Sequence, residues 1–415
     1  MISADEALRL VLDSVSPLGV ERMSILDALG RVLASDVTSS RDIPGFDNSA
    51  MDGYAVRSAD IAGASPSNPV RLAVLETVAA GSMPTRRVEG GQAARTMTGA
   101  PIAAGADAIV QVERTRPVGD AVEILEPAPA GNFIRPRGED LRSGEVVMRR
   151  GHVLGPADLG MLASLNRAIV DVFRRPRVAI VATGDELVDI DQVPSGAQIV
   201  NSSAYALAGA VKECGAEAAT LRVARDRPEE IRERLTEALA SDAILSTGGV
   251  SVGDFDHVKG VLDELGMRTV FHGVAQRPGR PLKFGTLNGK PMFGLPGNPV
   301  STLVCFYLYA RPALMKMGGR GEVGLSQVSA RCAVDIKVAK DLTEFVRVRL
   351  ERRDGEWFAT PTGQQGSGIL SSVSRADGLL IGPAAETTLR TGAQARVLLL
   401  SGAVDEPFFE RRQKY

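Results

Sequence analysis

The chain has 415 residues, 44% of them hydrophobic, and a formal net charge of −2, so about two to four domains with sizeable cores are expected. The near-neutral balance and an aromatic content of 4% weigh against nucleic acid or an anionic membrane as the main partner and leave few platforms for stacked bases. Three widely spaced cysteines (Cys214, Cys305, Cys332) weigh against a disulfide framework and point to a reducing compartment, the cytoplasm, and no segment approaches the roughly 20 apolar residues that a bilayer requires.

Met1–Leu12 carries Asp5 and Glu6 ahead of its apolar residues and reads as a capped amphipathic helix, not a secretory signal. Residues 1–43 as a whole read as helical, with Leu8, Leu12, Val15, Ile25, Leu29 and Leu33 as candidate buried positions. From Phe46 to Asp140 the texture changes to short β-type runs, Arg71–Val78, Ala108–Val112 and Ala121–Leu125, separated by Gly and Pro. Leu141–Pro176 holds another short strand pair and a helix at Pro156–Leu165. From Arg177 to Gly318 apolar strands alternate with helices, which predicts a mainly parallel sheet covered on both faces. Its expected strands are Val178–Ala182, Ala219–Val223, Ala243–Leu245, Arg268–His272 and Met292–Leu295, and Asp226 is expected to cap the helix that starts at Pro228. Val323–Gly402 is β-rich again and suggests a small barrel or sandwich. The fold class is therefore α/β plus β, multidomain.

Several stretches carry residue types suited to a site. Pro44–Val56 sets Asp47, Asn48, Ser49 and Asp52 between turn-forming glycines, as an Asx-rich turn or as a ligand-binding loop. In a doubly wound sheet ligands gather at the carboxyl ends of the strands. On that edge fall Thr183-Gly184-Asp185-Glu186, Arg225-Asp226 and Ser246-Thr247-Gly248-Gly249-Val250-Ser251, the last a strand-to-helix turn or a cradle of backbone N–H groups for phosphate oxygens. Glu186, Asp254 and Asp256 can supply oxygen ligands to a hard cation such as Mg²⁺, or can stand as solvated acids. Pro296-Gly297-Asn298 ends a strand and opens a helix. Arg277-Pro278-Gly279-Arg280-Pro281-Leu282-Lys283 gathers Arg277, Arg280 and Lys283 in a stiff loop, an oxyanion site or a solvated basic loop. His152, His257 and His272 do not cluster with the cysteines, so a nitrogen or sulfur metal site is not expected, and His257 and His272 read as packing residues.

Six stretches, in order, resemble the signatures of the molybdopterin molybdenumtransferase family: Pro44–Val56, Thr96–Pro101, Arg137–Asp140, Ala182–Leu187, Ser246–Asp256 and Gly294–Ser301. The resemblance implies a segmented linker domain (1–45 and 141–176), a β-rich domain (46–140), a molybdopterin-binding α/β domain (177–318) and a C-terminal β-barrel (319–404), in an elongated homodimer. It implies insertion of molybdenum from molybdate into adenylylated molybdopterin with release of AMP, and a hand-over partner in molybdopterin adenylyltransferase. It gives catalytic roles to Asp52, Thr98, Asp140, Glu186, Asp226 and Asp256, and brings a C-terminal serine, Ser367 or a neighbour up to Ser372, to the cleft. Many family members carry lysine where this chain has Arg277 and Arg280, and arginine does not lend a proton at neutral pH. The alternatives are molybdopterin adenylyltransferase, a nucleotide amidohydrolase with a similar α/β domain, and a scaffold of the gephyrin kind; Pro44–Val56 lies outside the domain that the first would need, and no extra catalytic or fused module supports the others.

Overall fold

A computed structural model describes residues 1–248 and 257–400. The chain divides into two compact units, 35–150 with 160–168, and the remainder.

The smaller unit is built on a six-stranded sheet. Its strands are β1 (Gly53–Val56), β2 (Val70–Val78), β3 (Gln92–Thr96), β4 (Ala108–Gln111), β5 (Thr115–Val118) and β6 (Ala121–Ile124), in the order β4-β1-β3-β2-β6-β5. Strand β1 is buried along its length because its side chains feed apolar clusters on both faces. Tyr54 and Val56 join Leu72, Val110 and Val122 on one side, while Ala55 meets Val78, Ala94 and Ile109 on the other. Gly53 leaves no room for a side chain, since an added Cβ would lie 2.2 Å from the Val110 carbonyl oxygen.

The larger unit holds a second six-stranded sheet and a barrel. The sheet contains β7 (Arg177–Ala182), β8 (Glu217–Thr220), β9 (Ala243–Thr247), β10 (Arg268–His272), β12 (Lys283–Leu287) and β13 (Lys290–Leu295); β11 (Gln276–Arg277) belongs to the barrel sheet. Its order is β8-β7-β9-β13-β12-β10, with the first four strands parallel and the last two antiparallel. Helices α1 (Ala4–Asp13) and α2 (Ser202–Glu213) cover one face together with α5 (Pro299–Cys305), which runs through a π turn at Phe306–Ala310 into α6 (Arg311–Met317). Helices α3 (Pro228–Ala238) and α4 (His257–Glu264) cover the other. Strands β14 (Gln327–Cys332), β15 (Thr343–Arg353), β16 (Glu356–Pro361), β17 (Gly378–Gly382) and β18 (Gln394–Leu399) pair in the ring β15-β16-β14-β18-β17-β15, a closed barrel around Val346, Val348, Ala359, Leu380 and Val397. Closure removes the free sheet edges that would otherwise invite aggregation.

Several expectations are corrected. Residues 1–43 are not helical throughout: Ser3 caps α1, and Val20–Ser24 is then a strand paired with Ile169–Phe173. Tertiary pairing of β-branched residues overrides the helical spacing there, so Leu33 is buried while Leu29 is exposed. Strand Val146–Met148 likewise pairs with Val37–Thr38, so the short strand pair expected ahead of the helix within Leu141–Pro176 does not form there. Strand β8 begins two residues before the expected Ala219, β10 is an antiparallel edge, and Lys283, expected in a loop, opens the strand β12. Among the described residues no helix is long and apolar enough to cross a membrane, and all three cysteines are free and buried.

Gly53→Ala is expected to push β4 away from β1 and to cost about 1–3 kcal/mol, the usual range for forcing volume into a packed core. Thermal denaturation would show it, and a midpoint equal to that of the parent would contradict the packing described for β1.

Candidate functional site

In the smaller unit the structure brings three of the sequence stretches together. Gly53 opens β1 and leaves Asp52 at its exposed start, where the carboxylate Oδ1 accepts hydrogen bonds from both the Thr98 amide and the Thr98 hydroxyl, each 2.7 Å. These donors, the amide foremost, hold the Asp52 carboxyl below its ordinary value of 3.8. Ser49 and Gly99 exchange backbone bonds with the same turn, Ser49 donating to Ala100 and Gly99 to Ser49. The Arg137–Asp140 stretch docks alongside: the Arg137 amide donates to Asp47 Oδ1 at 2.7 Å, Gly138 to the Pro44 carbonyl at 2.9 Å, and Asp140 to the Ile43 carbonyl at 3.0 Å. Asp47 therefore holds backbone, while the side chains of Asp52, Thr98 and Asp140 remain at the surface.

In the larger unit the ends of β7, β9 and β13 converge at the carboxyl edge of the sheet. Thr183 donates its amide to Thr247, and Gly248 donates to Leu295. Gly248 sits at φ +88°, and an added Cβ would lie 2.7 Å from the Thr183 carbonyl and 3.2 Å from its hydroxyl; a Cβ on Gly297 would lie 3.7 Å from Gly248 Cα. Two hydroxyls at this edge, Thr183 Oγ1 and Ser246 Oγ, are buried and have no hydrogen-bond partner among the described residues. Ser246 was expected in the turn, but it lies within β9 and is 0% exposed.

The acids beside this edge face one another. The Asp185 amide donates to Asp226 Oδ2 at 3.4 Å and the Asp226 amide to Asp185 Oδ1 at 3.2 Å, so the two carboxylates clasp the 185 and 226 turns. Arg225 Nη1 reinforces the clasp through the Asp185 and Leu187 carbonyls. Asp226 does not cap α3: the cap position falls one residue later on Arg227, which makes no side-chain cap bond, and Asp226 is turned to Asp185 instead. No helix follows Thr183-Gly184-Asp185 directly, since α2 starts only at Ser202 and is capped by Asn201. Glu186 folds back on Gly184, where an added Cβ would meet its Oε2 at 2.5 Å. Gly249, Ser251, Asp254 and Asp256 lie outside the described residues. Among the described residues no three His, Cys, Asp or Glu side chains gather as a metal-ligand set.

The three cations expected in one loop are separated. Arg277 pairs with the buried Glu344 at 3.6 Å, Arg280 is exposed and directs Nε to Met1 Sδ at 3.1 Å, and Lys283 is buried at 6% exposure as the first residue of β12. A buried polar network holds the loop from beneath. Tyr309, set by the π turn, donates to Gln276 Oε1, and Gln276 Nε2 donates to the Pro278 carbonyl at 2.9 Å. Gly279 packs so closely that an added Cβ would lie 2.4 Å from Cys305 Sγ.

Pro296 is buried, Gly297 and Asn298 are exposed, and Asn298 occupies the cap position of α5 without a side-chain cap bond. The barrel reaches this turn through its 362–372 loop, because Val300 in the first turn of α5 donates its amide to the Ser367 carbonyl at 3.1 Å. Arg347 organises that loop and was missed by the sequence reading. It is 1% exposed, and its guanidinium donates to Ser372 Oγ at 3.2 Å and to the Gly366 carbonyl at 3.3 Å. Burial pushes its pKa down to about 10. The only sequence signal was an arginine inside the alternating run Phe345–Leu350, where it reads as solvent-facing.

Comparisons with known proteins follow the same division. Residues 2–166 match the MoeA N-terminal region (domain I and II), 179–316 a probable molybdopterin binding domain, and 329–400 the MoeA C-terminal region (domain IV). A molybdopterin molybdenumtransferase from a Nostoc species is 37% identical over 387 residues, covering 92% of this chain and 88% of its own length. The chain belongs to the molybdopterin molybdenumtransferase family. A family member from Staphylococcus aureus is 31% identical over 98% of this chain and 97% of its own length. The crystal structure of the molybdopterin biosynthesis moeA protein from Pyrococcus horikoshii superposes with a TM-score of 0.83 at 32% identity, covering 96% of this chain and all of that one. The chain is thus an enzyme of molybdenum cofactor biosynthesis, with the α/β, β-rich and barrel parts expected of the family.

Replacing Thr98 by Val removes one of the two donors to Asp52. The Asp52 pKa, read by carboxyl ¹³C NMR, is expected to rise toward 3.8. Because its folded-state pKa is depressed, the stabilisation it brings is present above the unfolded value and lost as pH falls through the folded one, so Thr98→Val should narrow that acid window. An unchanged pKa would mean that the hydroxyl contact does not form in solution.

Proposed function

We propose that this enzyme inserts molybdenum from molybdate into adenylylated molybdopterin and releases AMP. The observation that carries the reading is the convergence of the Thr183, Gly248 and Gly297 backbones at the carboxyl edge of the parallel sheet. Glycines there let a phosphorylated ligand approach the main chain, whose N–H groups and the Ser246 and Thr183 hydroxyls are donors for phosphate oxygens. Pro296, Gly297 and Asn298 bound the same turn, and the Ser367 carbonyl at the Val300 amide supports a role for the barrel loop in closing it. Gly249 and Ser251 extend the donor set in this reading.

Glu186, Asp185 and Asp226 bring carboxylate oxygens to the edge, a donor chemistry suited to a hard cation. Mg²⁺, held by Glu186 with Asp254 and Asp256, would neutralise charge at the pyrophosphate. Asp226 stays with Asp185 and orients the 185 turn. Arg280, exposed and without a carboxylate partner among the described residues, is the cation we assign to molybdate, with Arg277 tied to Glu344 behind it. Acids beside it would protonate oxygen leaving molybdenum as water, while the dithiolene sulfurs of the substrate take the metal. Asp52, kept ionised by Thr98, and the exposed Asp140 would act from a second copy of the chain, which makes the working form a homodimer. Molybdopterin adenylyltransferase, which supplies the adenylylated substrate, is the natural partner for hand-over.

The test is AMP release with metal transfer on adding adenylylated molybdopterin, Mg²⁺ and molybdate. Glu186→Gln should lower turnover by about 100-fold or more, the scale of a lost catalytic group, with little change in thermal midpoint. Mixing inactive Asp52→Ala with inactive Asp226→Ala chains should restore part of the activity in verified heterodimers. Pyrophosphate release from ATP and molybdopterin without molybdate would overturn the reading, and a fully inactive heterodimer would place the whole site in one chain.

A further inference from the structure

Where the barrel meets the helices of the α/β sheet, the larger unit carries a groove of about 460 Å³, within the size range of binding pockets. It is lined by Ala206 and Gly209 of α2, Leu303 of α5, Leu370 and Val373 around the short helix Ser371–Ser374, and Leu400. Most of these apolar side chains are only half-buried: Ala206, Leu370, Val373 and Leu400 keep solvent contact, and Gly209 is exposed. A Cβ added to Gly209 would meet no described atom within 4 Å. A glycine inside a helix weakens it relative to alanine, and here it leaves room above the helix surface. Glu213, exposed at the end of α2, also lines the groove and accepts from the Tyr307 hydroxyl at 3.4 Å. The groove is therefore apolar along its length and acidic at one point.

Leu400 is both a lining residue and the last described residue before the tail, so residues 401–415 leave from the groove itself. Their sequence complements it. Ser401-Gly402-Ala403 is a spacer of small residues in which the glycine permits the chain to reverse. Pro407-Phe408-Phe409 follows, an apolar triplet with a stiff first residue, in a chain whose aromatic content is 4%. Phenylalanines each bury roughly 150–250 Å² when they dock. Arg411 and Arg412 come next, of opposite sign to Glu213. An exposed ion pair adds little affinity but fixes direction. Phe408 lies eight residues past Leu400, a reach of roughly 26–29 Å when extended, so tether length does not limit docking. Short linkers raise the effective concentration to about the millimolar range, and modest intrinsic affinity is then enough to hold the segment.

We propose that the 401–415 segment docks in this groove of its own chain, with Phe408 and Phe409 against Leu303, Leu370 and Val373 and the Arg411–Arg412 pair toward Glu213. The docked segment is a strap. The Ser367 carbonyl already joins the 362–372 loop to α5 through the Val300 amide, and the strap fastens the far end of that loop to α2 and α5 through Leu370 and Val373. This goes beyond the reaction proposed above and does not rest on it, because it concerns what holds the barrel loop and not what the loop binds.

The experiment is photo-crosslinking of the full chain with p-benzoylphenylalanine in place of Phe408, an aromatic group that keeps the apolar character of the side chain. Equal amounts of ¹⁵N-labelled and unlabelled protein are mixed before irradiation, and cross-linked peptides are mapped by mass spectrometry. The expected result is cross-links to 206–213, 303–307 or 370–376 within one chain, in a yield that does not change on tenfold dilution. Gly209→Leu fills the groove with a stronger helix former, so it should keep the thermal midpoint and lose those cross-links. Ala206→Leu fills the groove from the preceding turn and serves as the second variant should Gly209→Leu fail to fold. Cross-links that join labelled to unlabelled chains would give the groove to a second copy and overturn the proposal. Cross-links confined to other surfaces, an absence of cross-links, or undiminished groove cross-links in the folded filled variants would equally overturn it.

Discussion

The absence of side chains where three strands end is the constraint on which the α/β edge depends. Gly248 is in the left-handed region and so close to Thr183 that a Cβ would overlap its carbonyl oxygen, and the next turn, at Gly297, approaches to within a van der Waals contact. Any other residue at Gly248 would have to move β7 from β9. That movement would disturb the amide bonds that join Thr183 to Thr247 and Gly248 to Leu295. The close approach leaves main-chain groups, and two hydroxyls unpaired among the described residues, at the one edge of the sheet where loops and helix starts converge, which is what a polyanionic substrate needs.

The surrounding elements are held by buried polar groups, not by apolar contact alone. Arg347 is desolvated inside the barrel and bound to loop carbonyls and Ser372, which fixes the 362–372 loop against the start of α5. Tyr309 and Gln276 do the same for the Arg277–Arg280 loop from the opposite side. Such networks are stabilising only when each member is satisfied, and this makes the geometry of both loops definite. In the smaller unit the Asp52–Thr98 pair fixes a carboxylate at the surface in its ionised form.

Much of the α/β sheet could be read from the sequence, because β7 and β9 are continuous apolar runs and α3 carries Pro228, Glu229 and Glu230 in its first turn. The reading failed where tertiary context decides. Val20–Ser24 looks helical by spacing, yet it pairs with a strand about 150 positions later. Lys283–Leu287 follows a proline-rich stretch and begins with a charge, so nothing local marks it as a strand. The Arg277–Lys283 and Gly294–Ser301 stretches stand out in the sequence by their glycines, prolines and charges, whereas the residues that hold them do not: Glu344, Gln276, Tyr309 and Arg347 meet them only through the fold. Asp226 shows the limit of local rules, since its spacing to Pro228 fits a helix cap but its carboxylate is taken by Asp185.

The central claim is that the substrate is gripped at the carboxyl edge of the α/β sheet together with the barrel loop. Hydrogen–deuterium exchange with and without adenylylated molybdopterin tests it most directly. The account predicts slowed exchange at 183–186, 246–248, 296–300 and 363–368, with little change in the β-sheet core beneath. Protection confined to other surfaces, with these four segments unchanged, would contradict it.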